Sequence, residues 1–298
     1  MDIKYINRGT GKVEIERPPA EGLLKFLYGN TFGKFAFLPL AKQKVITKKY
    51  GKMMNTPKSV ERIQPFVDSL NIDMSESKKG VNEFQSFNDF FYRELKPDAR
   101  KIADGMVSPG DGRVLAFDKV SEVNSFYVKG TKFTLKAFLK DDNLLEKHKN
   151  SSMVIVRLAP NDYHRYHFPF KGIASEAKQI SGSYYSVSPI ALQTNFTKVF
   201  CKNKKEICTL TTENQGEILV IPVGATMVGS LNSTYNPKAV VEKGQEMGYF
   251  AFGGSTVVLL FESNHFKIDE DLLQNTKNNI ETFLKMGEKI ASVTPDSL

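Results

Sequence analysis

The sequence predicts an α+β fold: a helical N-terminal part over residues 1–100, then a compact β-rich domain, barrel- or sandwich-like, over residues 101–298. Three observations predict it. Apolar residues recur at helical spacing before residue 100. After it they fall in short runs punctuated by glycine and proline. A hydrophobic fraction of 41% beside 25% charged residues is that of an ordinary folded chain, and 298 residues suffice to bury a core.

The first residues, Met1 to Arg8, lack the apolar centre of a secretory leader. From Gly22 to Gly51 the lysines Lys25, Lys34, Lys42, Lys44, Lys48 and Lys49 interleave with bulky apolar residues, without acidic residue or arginine. Ser59 is placed to cap a helix carrying Val60, Ile63, Val67 and Leu70 on one face, shortened or kinked by Pro65. Ser86 with Asp89 resembles a capping box, and Phe84, Phe87, Phe91 and Leu95 then form a stripe of core character. Strands are expected at 113–117, 125–128, 153–158, 218–223 and 255–261. The segments Lys243 to Gly248 and Lys285 to Glu288 look like two related tight turns around Gly244 and Gly287.

Composition narrows the partners. A net charge of +8 calls for an acidic one. Lysines beside aromatic and aliphatic residues fit an interfacial segment on an anionic membrane surface, whereas a nucleic-acid groove usually adds arginine. No apolar run approaches the roughly 18 residues that a spanning helix needs. Cys201 and Cys208 have neither metal-ligand spacing nor histidine neighbours, so a reducing compartment without disulfide or zinc is expected.

The chemical groups gather in the β-rich part. Gly253-Gly254-Ser255-Thr256 heads the apolar run Val257 to Phe261, and packing alone does not call for a serine there. Glycine at 254 leaves its carbonyl open to the Ser255 hydroxyl. An attack there would shift amide to ester, and elimination with loss of ammonia would leave a pyruvoyl ketone. The alternative is a glycine bend with locally hydrogen-bonded Ser255 and Thr256. Asp111 sits in the turn Ser108-Pro109-Gly110-Asp111-Gly112. His164 and His167, two of only four histidines, lie just beyond the strand at 153–158, beside Asp162 and Arg165. Their spacing lacks a third zinc ligand and suits acid–base work. Asp111, one of these histidines and Ser255 would make a relay in which carboxylate orients imidazole and imidazole activates hydroxyl. That relay fits self-processing. It also fits a serine hydrolase, although the closing glycine of a G-x-S-x-G elbow is missing. A third reading is a non-catalytic, membrane-binding barrel module that needs neither histidine.

From about Phe87 to Ala291 the chain resembles the phosphatidylserine decarboxylases, a pyruvoyl-dependent, self-cleaving family. The likeness runs through Phe90-Phe91-Tyr92-Arg93-Glu94-Leu95-Lys96-Pro97, the Ser108 to Gly112 turn, Lys129-Gly130-Thr131 and Asp141-Asp142. It continues through Asp162-Tyr163-His164-Arg165-Tyr166-His167, Tyr185-Ser186-Val187-Ser188-Pro189, Glu246-Met247-Gly248-Tyr249-Phe250 and Gly253-Gly254-Ser255-Thr256. The resemblance implies a carboxy-lyase that converts phosphatidylserine to phosphatidylethanolamine and carbon dioxide through a Schiff base. It implies self-cleavage between Gly254 and Ser255, driven by Asp111, His167 and Ser255, into a large chain (1–254) and a small one (255–298). Ser255 would become the covalent pyruvoyl cofactor, with no metal, and His164 would assist decarboxylation as proton donor. A homodimer, peripheral on the cytoplasmic face of the cell membrane, is implied too. Two positions depart from the pattern: Gly253, where many bacterial members carry leucine, and Asn203-Lys204-Lys205, where the family tends to have Asn-Glu-Arg.

Overall fold

The computed structural model describes residues 3–16, 49, 51–126, 133–183, 185, 200–225, 231–251 and 255–294. In chain order the strands are β1 (Ile3–Asn7), β2 (Val13–Glu16), β3 (Met106–Val107), β4 (Gly112–Phe117), β5 (Ser152–Leu158) and β6 (Arg165–His167). Then come β7 (Gly172–Ala174), β8 (Lys178–Ile180), β9 (Lys205–Thr211), β10 (Glu217–Gly224), β11 (Leu231–Ser233) and β12 (Val240–Val241). The last are β13 (Glu246–Phe250), β14 (Ser255–Phe261), β15 (Phe266–Ile268), β16 (Glu281–Leu284) and β17 (Lys289–Val293). Helices are short: α1 (Ile63–Leu70), α2 (Phe87–Phe91), α3 (Val123–Phe126), α4 (Leu135–Leu139), α5 (Asp142–His148) and α6 (Glu270–Lys277). The α+β class holds, with a large sheet dominating. No helix among the described residues is long and apolar enough to cross a membrane.

The main sheet has eleven strands in the order β12-β7-β9-β10-β14-β5-β4-β16-β1-β2, with β8 also on β9. Its centre is β10, β14 and β5, and every residue of β14 and β5 is buried. A continuous apolar run is what a strand covered on both faces requires. Two three-stranded sheets, β11-β13-β6 and β15-β17-β3, complete the β structure.

The expected strands at 153–158, 218–223 and 255–261 appear as β5, β10 and β14, and that at 113–117 as β4. Residues 125 and 126 belong instead to helix α3. There the Asn124 side chain bonds both backbone groups of Phe133, closing a loop rather than extending a ladder. Residues 127–128 lie outside the described residues, as does nearly all of the lysine-rich segment 22–51.

The N-terminal part is not wholly helical. Strands β1 and β2 form a hairpin on the main sheet, and β1 pairs in parallel with β16. Tyr5 is the buried position of β1 and Glu16 that of β2, while Val13 and Ile15 face solvent, and a glycine-containing turn joins the two strands. Helix α1 forms with Pro65 in its first turn, where a missing N–H costs little. Ser59 does not cap it; its hydroxyl accepts the Phe87 N–H at 2.9 Å. Ser86 caps α2 by accepting from the Asp89 N–H. Phe84, Phe87, Phe90 and Phe91 pack with Met54, Ile63 and Val67 in a small core of their own.

The two glycine turns converge on one side chain. Gly244 and Gly287 have φ of +80° and +88°, and a Cβ on either would stand within 3 Å of Ile102 Cδ1, at 2.7 and 2.9 Å. Both positions require glycine for their backbone conformation, and Gly287 also for space, because a Cβ there would stand 2.5 Å from the Lys101 carbonyl oxygen.

Candidate active site

Ser255 opens β14 and is wholly buried. It is paired on one side with Gly224 of β10 and on the other with Leu158 of β5. This double clamp fixes the serine at the mouth of the central strand. The loop leaving β5 turns back at once: Asp162 accepts from the Ala159 N–H at 2.6 Å and from the Arg113 guanidinium, also buried. That closure delivers His164, whose Nδ1 stands 3.3 Å from Ser255 Oγ. The His164 carbonyl accepts the Phe250 N–H at 3.0 Å, so the end of β13 pins the histidine backbone. Phe91 from α2 stacks on the imidazole, with ring centroids 3.9 Å apart and planes at 18°.

Burial, then the nearby Arg93 charge, pulls the His164 pKa down to about 3, so its imidazole is neutral at physiological pH. Among the described residues its Nε2 has no hydrogen-bond partner, although it is buried. Unsatisfied buried groups are uncommon, and this one belongs to the residue that meets Ser255.

His167 is placed differently. Its ring contacts the Gly244 carbonyl through Nδ1 at 2.9 Å and the Tyr163 hydroxyl through Nε2 at 3.1 Å. Burial lowers its pKa too, opposed in part by Glu246 and Asp111. Asp111 is held by Arg100 at 2.6 and 3.1 Å and by the Met286 N–H at 2.7 Å. The carbonyl of Pro109, in the same turn, accepts the His167 N–H at 2.7 Å. The structure thus brings Ser255 and His164 into contact. Asp111 and His167 lie in one neighbourhood, without a hydrogen bond to each other or to Ser255. A cleft of about 320 Å³ opens beside them, lined by Tyr163, His167, Arg100, Glu246 and Met286 among others. Gly253 and Gly254 lie outside the described residues. Among the described residues no group of three or more His, Cys, Asp or Glu is arranged to hold a metal ion.

A family model for phosphatidylserine decarboxylase matches residues 87–292. The chain belongs to the phosphatidylserine decarboxylase family. It is 50% identical to a phosphatidylserine decarboxylase proenzyme of Fusobacterium nucleatum, over 97% of each chain. Proenzymes of the same name from Clostridium beijerinckii and Desulfitobacterium hafniense are 44% and 42% identical, over 97% of this chain and 99% and 97% of theirs.

Within this decarboxylase fold the segment Asn203-Lys204-Lys205, which departs from the pattern at its two lysines, has a structural role. The Asn203 side chain bonds the Tyr185 N–H, the Tyr185 carbonyl and the Gly224 carbonyl, each at 2.8 Å. Gly224 is the register partner of Ser255, so Asn203 braces the strand beside the serine. Lys205 is buried over the Phe138 ring and donates to the carbonyls of Phe138 and Cys201, and burial pulls its pKa down to about 7. It has no carboxylate partner among the described residues.

Several site residues carry sequence signals that motif reasoning passes over. Arg113 and Arg157 are lone charges within otherwise apolar strand runs, which marks them for buried pairing. Arg157 meets Glu16 and Glu281, and Arg113 meets Glu16 and Asp162. The phenylalanine stripe of α2 is core, as its spacing implies, yet Phe91 also faces the site.

Proposed function

We propose that this chain decarboxylates phosphatidylserine to phosphatidylethanolamine and carbon dioxide, using a pyruvoyl group made from its own Ser255. The observation that carries the reading is the buried Ser255 at the head of β14, 3.3 Å from His164, in a chain of this family. The residues present fit the group: a serine clamped on both sides, a neutral histidine at its Oγ, and a buried imidazole nitrogen with no hydrogen-bond partner among the described residues.

Self-cleavage starts with Ser255 Oγ attacking the Gly254 carbonyl carbon. The C–N bond breaks, the nitrogen takes up a proton, and an ester links 254 to 255. Loss of the Ser255 α-proton expels the Gly254 carboxylate, and water then replaces nitrogen, which leaves as ammonia. The large chain 1–254 and small chain 255–298 result. We assign Asp111 and His167 to activation of Ser255, and His164 to the later proton delivery. Support for the first assignment is the shared turn geometry and the Asp111 charge, which favours protonated His167. Support for the second is the His164 contact itself.

A pyruvoyl ketone at position 255 supplies an electrophile for the substrate amine and a sink for the electron pair left as carbon dioxide departs. The strands flanking position 255 exclude water, which strengthens every charge interaction inside. His164 is neutral in this structure; an anionic head group entering the site favours its protonated form, which proton donation to the α-carbon requires. Phe91 holds the ring in plane. The lysine-rich segment 22–51 would keep the protein peripheral on an anionic, cytoplasmic membrane face while the acyl chains remain in the bilayer. A homodimer remains part of the proposal on the family likeness alone.

A second reading rests on the same 3.3 Å contact: His164 serves as base for Ser255 as well. One experiment separates them. Wild type, His164→Asn and His167→Asn are incubated with phosphatidylserine in mixed micelles, and both chain cleavage and phosphatidylethanolamine release are measured. Cleavage without product from His164→Asn, and an uncleaved His167→Asn, support the assignment above. An uncleaved His164→Asn beside a cleaved His167→Asn overturns it in favour of the second reading. Absence of product from the wild type sinks the decarboxylase reading itself.

A further inference from the structure

Arg93 lies two residues beyond Phe91, and the intervening residue is anchored twice. The Tyr92 carbonyl accepts Arg165 Nε at 2.9 Å, and the Tyr92 ring lies 4.5 Å from that of Tyr249. The Arg93 N–H bonds the Phe90 carbonyl at 3.1 Å, and its guanidinium sits 5.3 Å from the Phe90 ring centroid. The residue is 6% exposed, and its buried Nε has no hydrogen-bond partner among the described residues. Among the described residues its guanidinium makes no hydrogen bond and no ion pair.

The neighbouring carboxylates do not fill that vacancy. Asp111 and Asp162 feel the Arg93 charge, yet Asp111 is engaged by Arg100 and Asp162 by Arg113. A buried guanidinium stays charged, and leaving it unpaired is costly unless an anion arrives. Its charge is also close enough to His164 to oppose protonation of the imidazole. An unclaimed cation therefore stands beside the histidine that touches Ser255.

We propose that Arg93 is the anion-binding residue of this site and that it takes the phosphodiester of the lipid substrate, an inference that rests on the decarboxylase reading above. The substrate offers a second anion, the carboxylate, but chemistry argues against that pairing. The carboxylate loses its charge as carbon dioxide forms, so a guanidinium on it would stabilise the ground state more than the transition state. The phosphodiester keeps its single charge throughout. Planar, forked arginine donors suit phosphate oxygens. Binding of that kind lowers KM and leaves the chemical step alone.

The test compares cleaved wild-type enzyme with Arg93→Gln and Arg93→Lys on phosphatidylserine in mixed micelles. Arg93→Gln should raise KM about ten- to a hundredfold without lowering kcat, and Arg93→Lys should show a smaller rise. An unchanged KM in Arg93→Gln, or a fall in kcat at constant KM, overturns the proposal. Should the variants fail to fold or cleave, wild-type enzyme is given the methyl phosphotriester of the same lipid. A KM rise of similar size supports the assignment, and a KM equal to that of the diester overturns it. Wild-type enzyme inactive on phosphatidylserine would instead remove the decarboxylase reading on which the inference rests.

Discussion

At the scale of single residues, burial sets the protonation of the histidines. It lowers the pKa of His148, His164 and His167 in the fold, the first two of which are wholly buried. Above the unfolded value of about 6.5 both folded and unfolded chains hold these rings neutral. Below it the unfolded chain takes up protons that the folded chain refuses, so stability falls as pH drops from about 6.5 toward the folded values. Each such group contributes a slope of up to about 1.4 kcal/mol per pH unit. Urea midpoints measured at about pH 7.5, 6.5 and 5.5 should fall, more steeply across the second interval than across the first. His148→Gln should reduce that fall by about one proton's worth. Equal midpoints at all three pH values would contradict neutral burial of these rings.

At the scale of elements, the N-terminal hairpin is tied to the catalytic strand by charge. Glu16 closes β2 and accepts from Arg157 at 2.6 and 3.0 Å, while Arg113 pairs with it at 3.2 Å. Arg157 is the register partner of Thr256, and Arg113 reaches Asp162 in the loop that carries His164. Burial opposes ionisation of Glu16, but Arg157 and Arg113 hold its pKa below the usual carboxylate range. Removing one member of such a set leaves buried charge uncompensated, so Glu16→Ala should cost about 3–5 kcal/mol by urea unfolding. The exposed Lys12→Ala should change stability by less than about 0.5 kcal/mol. A Glu16→Ala variant as stable as Lys12→Ala would show that the hairpin is not held this way. Legibility in the sequence divided along the same physical line. Strands β5, β10 and β14 were readable because full burial demands unbroken apolar runs. The hairpin was harder to see because its strands are short and half exposed, and its partner β16 lies at the far end of the chain. Ser255, His164, His167 and Asp111 could be singled out by residue type and by the family likeness, which ran over nearly the residues the family model matches. Spacing along the chain does not tell which histidine meets the serine, since that depends on how the loop after β5 closes on Asp162.

At the scale of the molecule, the proposed cleavage would cut the backbone without dismantling the core. The small chain would keep β14, seated between β10 and β5, and β16, seated between β4 and β1. Residues Val257 to Phe261 are wholly buried, so apolar contact and two ladders of hydrogen bonds would hold the two chains together after the peptide bond is lost. A self-made cofactor would suit this arrangement, because the strand that would carry it lies at the centre of the sheet. The most direct measurement is the intact mass of purified wild-type protein beside a Ser255→Ala variant, taken under native and denaturing conditions. The pyruvoyl assignment predicts one associated species under native conditions. On denaturation it should resolve into chains 1–254 and 255–298, the small one lighter by one ammonia than a serine-ended peptide, with Ser255→Ala uncut. A single full-length mass for the wild type after incubation with phosphatidylserine would contradict it.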